Sequence, residues 1–180
     1  MKKMTLSWIC IILFSVMAVP GEQPEATEPG ISLQENLTFW YAAMDFSGSF
    51  ENMNKSVQTF IDEFFKQGLV PAGPMIGGFF NDPGQVKPEE LKWNIGFMVN
   101  KDAVVQAPLQ KEEFKAKTAA VYTHIGPYEN LGQAYTKIFK YAEDNGYKII
   151  WPVYDKYLDN PMQVKPEELR TEVIVPLEKK

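Results

Sequence analysis

The string QVKPEEL stands at residues 85–91 and again at residues 163–169, an offset of 78 positions in a chain of 180 residues. The offset holds upstream without a gap. Gly48 matches Gly126, Glu51-Asn52 match Glu129-Asn130, Gly68 matches Gly146, Pro74 matches Pro152 and Pro83 matches Pro161. The chain therefore reads as two copies of one unit. Two copies are too few for a solenoid, whose faces are buried only by stacking several units. A pseudo-twofold domain whose halves share one core is expected instead.

Each copy follows the same plan. A strand comes first, LTFWYAAM (37–44) or TAAVYTH (118–124), then a turn with glycine, then a helix. Met53, Val57, Phe60, Ile61 and Phe64 recur at steps of three and four, and Leu131, Tyr135, Ile138, Phe139 and Ala142 stand at the matched positions. That spacing places one apolar stripe on each helix. Gly68 and Gly146 fall where a helix C-terminal glycine belongs. Two strands close each unit: MIGGFF (75–80) with KWNIGFMV (92–99), and VYDKYL (153–158) with RTEVIVPL (170–177).

The repeated string lies in the loop between those closing strands. Asn-Asp-Pro and Asp-Asn-Pro before it are turn formers, because Asx side chains bond nearby backbone and proline presets φ. Pro-Glu-Glu-Leu predicts one helical turn, with proline first and acids at the positive end. The string is turn chemistry, and its charges read as a solvated loop. The unit is β-α-β-β, with repeat one at 37–99, a link at 100–117 and repeat two at 118–180.

The start of the chain reads differently. MKKMTLSWICIILFSVMAVPG has two lysines, an apolar run from Leu6 to Val19, then small residues. This is the layout of a secretory signal peptide over residues 1–21, with cleavage expected after Ala18 or Gly21. The run is too short for an ordinary membrane span, so no span is expected in the mature chain, which would be periplasmic or secreted. EQPEATEPG opens a polar linker over residues 22–36. Cys10, the only cysteine, leaves with the leader. The net charge of −5 and pI near 5.0 argue against nucleic acid as a partner, since nucleic acid needs a basic face to displace counterions. No helix-turn-helix pattern precedes the domain in this sequence, so an intact transcription factor is not expected.

HIGPYENLGQAY, NGYKIIWPVYDKYLDNP and PEELRTEVIVPL resemble the GyrI-like small-molecule-binding domain, the effector-binding module of bacterial drug-sensing regulators. The resemblance runs from about Leu37 to the end and is sharpest from Val121 to Leu177. It implies an α+β fold in which two β-α-β-β units form one curved antiparallel sheet. Two helices would lie on one face and a ligand groove on the other. The resemblance also implies that an acid and an aromatic two residues apart face the ligand, which here are Asp155 and Tyr157. The family more often has glutamate in the place of Asp155.

Strand alternation supplies further groove residues. In RTEVIVPL, Thr171, Val173, Val175 and Leu177 share one apolar face suited to lie under the helices, so Glu172 is expected to face the groove. The offset of 78 adds Met75 and Phe79 beside Gly77, and Met98 on the last strand of the first copy. The opening strands contribute Trp40, Met44, Tyr122 and His124. Where the copies disagree, Glu172 matches Asn94 and Asp155 matches Gly77, so both carboxylates come from the second half. An acid in an aromatic wall with methionines suits a flat, lipophilic, cationic molecule.

Other chemistry finds less support. His124 is the only histidine, so metal sites of several His or Cys ligands are excluded, and no cofactor is expected. Gly77-Gly78 lacks the spacing of a phosphate loop. A related two-unit fold binds tetrapyrroles, and only His124 would serve haem as an imidazole ligand. Some family members resemble hydrolases with a groove glutamate, which makes a hydrolase using Glu172, with Asp155 and Tyr122 or Tyr157 orienting water, the alternative. A protein-interaction module is the third reading, with the protein partner unknown.

Overall fold

The computed structural model describes residues 30–180. The expected signal peptide and the first part of the expected linker lie outside them. The elements run β1 (Ser32–Ser47), α1 (Met53–Lys66), β2 (Met75–Phe79), β3 (Lys92–Met98), β4 (Gln110–Ile125), α2 (Leu131–Asp144), β5 (Tyr147–Ile149), β6 (Val153–Tyr157) and β7 (Arg170–Lys179). Both long strands, both helices and both short central strands begin 78 positions apart. So do the one-turn helices Pro88–Glu90 and Pro166–Glu168 made by the repeated string. Proline sits at the start of each turn, where its missing N–H has no bond to lose. Gly68 and Gly146 take φ of 68° and 69° just past the helices, the left-handed region that terminates a helix cheaply only with glycine.

The sheet is antiparallel, in the order β4-β1-β3-β2-β6-β7-β5, and β4 also pairs with β7. Six strands therefore close into a ring. β1 and β4 are long enough to serve two neighbours each. The last part of β1, Tyr41–Ser47, pairs with β3, and most of the rest pairs with β4. The end of β4, Thr118–Ile125, pairs with β7. Closure encloses one side of the sheet, which Phe39, Tyr41, Ile76, Phe114, Tyr154 and Ile174 fill. Phe39 stacks on Phe114 at 4.6 Å, and the hydroxyls of Tyr41 and Tyr154 meet at 3.3 Å.

Both helices lie on the other side. Phe60 and Phe64 of α1 pack with Trp93 and Ile95. Ala134, Ile138 and Ala142 of α2 pack with Val153, Val173 and Val175. Each large side chain so buried contributes about 1.5–3 kcal/mol by removal from water.

This is the α+β architecture the sequence implied, with one correction. The groove was expected on the face away from the helices, but that side is closed and packed, and the open cleft lies between α1 and α2. The cause is the length of the opening strands. SLQEN and QKEE belong to β1 and β4, yet they are polar and mostly exposed, so they carry no apolar alternation to announce a strand. In FKAK, Phe114 and Ala116 are buried between exposed lysines, but two apolar residues are too few to mark a strand by themselves. β1 accordingly begins at Ser32, within the stretch expected as linker, and β4 at Gln110, within the expected link. β5, at three residues, was not expected at all.

Candidate functional site

The register at the middle of the sheet fixes the centre of the cleft. β2 and β6 pair with Met75 opposite Tyr157, Gly77 opposite Asp155 and Phe79 opposite Val153. Gly77 and Asp155 are themselves matched by the offset of 78, so the pseudo-twofold axis passes through this pair. One side of the axis holds a carboxyl and the other holds no side chain. A Cβ on Gly77 would stand 3.1 Å from the Tyr157 hydroxyl, so the tyrosine occupies the space that the glycine leaves.

Above this floor the helices enclose a cleft of about 1050 Å³, at the upper end of the roughly 300–1,000 Å³ of small-molecule pockets. α1 contributes Met53, Val57 and Ile61, and α2 contributes the matched Leu131, Tyr135 and Phe139. Tyr135 and Phe139 meet edge to face at 5.8 Å, and Phe139 meets Trp151 at 6.3 Å. The mouth is framed by Asp82 and Pro83 from one hairpin loop and by Asn160, Pro161 and Met162 from the other. These are the turn residues that precede the two copies of QVKPEEL. The duplicated string thus braces the loops at the entrance.

Asp155 is 2% exposed. The Tyr135 hydroxyl donates to its Oδ1 at 2.8 Å, and the Tyr157 hydroxyl is a second hydrogen-bond partner. Burial raises its pKa to about 7, against the weaker lowering effect of the two tyrosines, because a charge is poorly solvated in apolar surroundings. None of the ion pairs among the described residues reaches it. Burial, and then the charge of Asp155, hold both tyrosines well above the usual phenol range. They therefore stay neutral donors. The floor is a carboxyl poised between charge states, held by two hydroxyls and faced by rings. Asp159 at the rim is different. Its hydrogen bonds with Arg170, at 2.8 and 3.0 Å, depress its pKa.

Of the expected site residues, the structure brings Asp155, Tyr157, Met75 and Phe79 together in the cleft. The others lie elsewhere, for two reasons. Glu172 and Met98 are on the opposite face. Lys156 and Glu172 are register partners, as are Asp155 and Val173, so the two carboxylates point to opposite sides. Glu172 instead pairs with Lys156 at 2.9 Å, and Met98 packs against the enclosed aromatic core.

Trp40, Met44 and Tyr122 are on the helix-bearing face but in the wrong column. Trp40 and Met44 pack at the margin of the α1 cluster, with the ammonium groups of Lys101 and Lys111 at 6.0 and 5.6 Å from the Trp40 ring. Tyr122 is buried in the α2 cluster, and its hydroxyl accepts from Lys137 Nζ at 3.1 Å. His124 lies at the end of β4, its Nε2 3.3 Å from the Pro127 carbonyl. Periodicity selects a face; it does not say whether a strand lies beneath a helix or between two.

Sequence reasoning missed Tyr135, Phe139 and Trp151, and assigned the helix stripes wholly to packing. The stripe of α1 carries five apolar residues, of which only Phe60 and Phe64 are buried. A stripe wider than its core contact was the available signal, together with a tyrosine, Tyr135, in the middle of the matching stripe. Among the described residues no group of three or more His, Cys, Asp or Glu gathers to hold a metal. No helix among them is long and apolar enough to cross a membrane.

Comparison with known proteins bears on this geometry. The sequence profile of the GyrI-like small molecule binding domain matches residues 38–178. No curated protein matches the chain in sequence. Among solved structures, EcmrR in complex with DNA is similar at a TM-score of 0.73 and 21% identity, over 85% of this chain and 59% of that one. The chain thus spans less than two thirds of that protein. The EcmrR C-terminal domain alone is similar at a TM-score of 0.72 and 23% identity, over 84% of this chain and 99% of that one. SAV2435 bound to tetraphenylphosphonium is similar at a TM-score of 0.56 and 12% identity, over 83% of this chain and 94% of that one. At these identities the likeness is one of fold.

Proposed function

The chain belongs to the GyrI-like small-molecule-binding family, and from that premise we propose that it binds a lipophilic cation in the cleft between α1 and α2, with Asp155 as the counter-charge. The observation that carries this reading is the carboxyl itself. It is buried at the centre of the floor, walled by rings, and unmatched by any cation among the described ion pairs. A cationic guest compensates such a group, and aromatic faces add attraction of about 0.5–2 kcal/mol each when desolvated. The tetraphenylphosphonium bound to SAV2435 is a ligand of the same class on the same fold.

The hydrolase alternative rested on Glu172, which stands on the far face against Lys156, so that role is not proposed again. The leader sequence supports export of a mature chain beginning near Glu22. N-terminal sequencing of the secreted protein checks that part. The acidic balance of the chain supports a small-molecule partner over nucleic acid.

A thermal-shift panel tests the binding reading, using tetraphenylphosphonium beside neutral tetraphenylmethane-type analogues and haem. At a hundredfold excess over its dissociation constant a ligand adds about 2.7 kcal/mol of stability. Shifts given by cations alone and lost in Asp155→Asn are expected. Equal shifts by neutral analogues in both proteins would refute the counter-charge role.

A further inference from the structure

We infer that the second half carries a docking notch for an extended, acidic peptide segment of a partner protein, which adds to the unpaired edge of β4. The notch shares no lining residue with the cleft between the helices.

The duplicated scaffold supplies its own control. Each long opening strand meets its closing strand over only part of its length: β1 pairs with β3 from Tyr41 onward, and β4 pairs with β7 from Thr118 onward. Before those points the strands part and leave a space. In the first half that space is filled. Ala103, Val105 and Leu109, from the segment between β3 and β4, pack into one cluster with Trp40, Leu69 and Val99. Side chains clamp the segment from two sides. The Gln67 amide donates to the Gln106 carbonyl at 2.8 Å and accepts from its N–H at 2.9 Å. Lys111 Nζ donates to the carbonyls of Lys101 and Ala103 at 3.1 and 2.9 Å.

The offset of 78 carries Trp40, Leu69 and Val99 to Thr118, Tyr147 and Leu177. Those three line an open notch of about 760 Å³. The floor that holds a peptide segment in one half is thus bare in the other. The backbone beside it is also open. From Gln110 to Ala116, β4 pairs with β1 on one side, and its pairing with β7 on the other begins only at Thr118. Alternate residues of such a strand turn N–H and C=O groups to the unpaired edge, which is a template for an added strand.

The border of the notch sets the chemistry of the segment. Lys115, Lys117 and Lys179 line it, against Glu178 as the one acid. Glu113 already takes up Lys115 at 2.6 Å, and Lys179 Nζ lies 4.2 Å from the Tyr147 ring and bonds the Asn145 carbonyl. Lys117 has no partner among the described ion pairs. In a chain of net charge −5 this is a basic place. Lysines on an edge strand also deter aggregation, but that role needs no apolar floor, and Tyr147, Ile150 and Leu177 supply one here. The segment is therefore acidic where it passes Lys117 and apolar where it meets that floor. A second copy of this chain fits less well, because pairing β4 with β4 would set these lysines near one another.

The test uses the isotope-labelled protein and end-capped peptides taken from the segment that fills the first-half space: residues 102–109, and the same stretch with Gln106→Glu. Amide shifts should move at residues 115–118 and 176–179 and stay still along the cleft between α1 and α2. The glutamate peptide should bind about two- to fivefold tighter than the parent, the range of one exposed ion pair. Lys117→Glu in the protein should reverse that order. Only alternate N–H groups of an added strand face the edge. N-methylation of the peptide at Val104 and at Val105, one at a time, should therefore abolish binding in one case and spare it in the other.

Shifts absent from residues 115–118, or confined to the cleft, overturn the notch. Equal affinity of the two peptides overturns the acidic partner, and equal tolerance of both methylated peptides overturns strand addition. A peptide of residues 22–30 is acidic but interrupted by Pro24 and Pro29, so it should not bind. Its binding at the notch would make this chain's own segment the occupant and overturn the partner protein. A dimer in sedimentation that Lys117→Glu dissolves would install a second copy and overturn it likewise. The wild-type titrations decide the matter even if the variant fails to fold.

Discussion

The two halves of this molecule agree in the strands, helices and turns that build the scaffold, β5 excepted, and differ where they meet. Phe60 and Ile138 are matched by the offset and neither is exposed; Gly68 and Gly146 end their helices at nearly one φ. At the axis, by contrast, Gly77 faces Asp155. Along the walls Val57 is matched by Tyr135 and Ile61 by Phe139, all four lining the cleft. A duplicated unit supplies a symmetric cleft, and divergence of a few side chains makes it one-sided. A symmetric acid pair on the axis would set two carboxyls in direct opposition, where like charges cannot both ionise at ordinary pH. The glycine removes that conflict and gives the Tyr157 hydroxyl its place.

The sharpest way to break the claim of equivalent scaffolds is to truncate its matched anchors. Phe60→Ala should cost about 3–5 kcal/mol and Ile138→Ala about 2–5 kcal/mol, read as shifted urea midpoints. If either cost less than about 1 kcal/mol, the two helices would not be equal partners in one core.

Next in size is a pH effect that belongs to the second half alone. The folded-state pKa of Asp155, about 7, lies above its ordinary value of 3.8. The folded protein therefore holds this proton more tightly than the unfolded chain. Its contribution to stability is complete below about pH 4 and is lost as pH rises through about 7, a fall on the order of a few kcal/mol. Asp159 acts in the opposite sense, its depressed pKa adding stability above the acid range. Denaturation at pH 5 and pH 8 should show the loss in the wild type and not in Asp155→Asn. An identical pH difference in both would place the titration elsewhere.

A smaller effect probes the first half at the axis. In Gly77→Ala the new methyl stands 3.1 Å from the Tyr157 hydroxyl and 3.4 Å from the Phe79 ring. Both neighbours are side-chain ends that can yield, so a cost of about 1–2 kcal/mol is expected, in the lower range for overpacking. Ligand affinity should fall with it, because Tyr157 moves. Unchanged affinity would show that Tyr157 is not held by the glycine.

The smallest effect belongs to Glu172→Gln. It removes a pair with Lys156 that is partly buried, its side chains 25% and 26% exposed, worth about 1 kcal/mol. It should leave ligand affinity untouched, and a measurable loss of binding would restore a role to the far face.

How much of this was legible in the sequence follows from what periodicity encodes. The helices, their glycine stops and the turn of the repeated string were readable because each has local chemistry: the stripe, the C-terminal glycine, the proline-led turn. Asp155, Tyr157, Met75 and Phe79 were placed on the ligand side through the family resemblance and the offset. Glu172 was not legible, because its apolar neighbours correctly marked the helix face and the error lay in assuming the groove to be opposite. That assumption needed the closure of β4 on β7, a non-local pairing of two segments each readable as a strand but not as neighbours. Trp40, Met44 and Tyr122 show the other limit, since lateral position depends on strand order, which no alternation records.

The most direct measurement is the number of protons released when a cation binds. Titration of the protein with tetraphenylphosphonium at pH 7, in two buffers of different ionisation enthalpy, gives that number. A carboxyl with a pKa of about 7 that becomes fully charged against the ligand should release about half a proton per cation at that pH. Asp155→Asn should release none and bind more weakly. Binding of undiminished strength in Asp155→Asn, with no proton released by the wild type, would contradict the account.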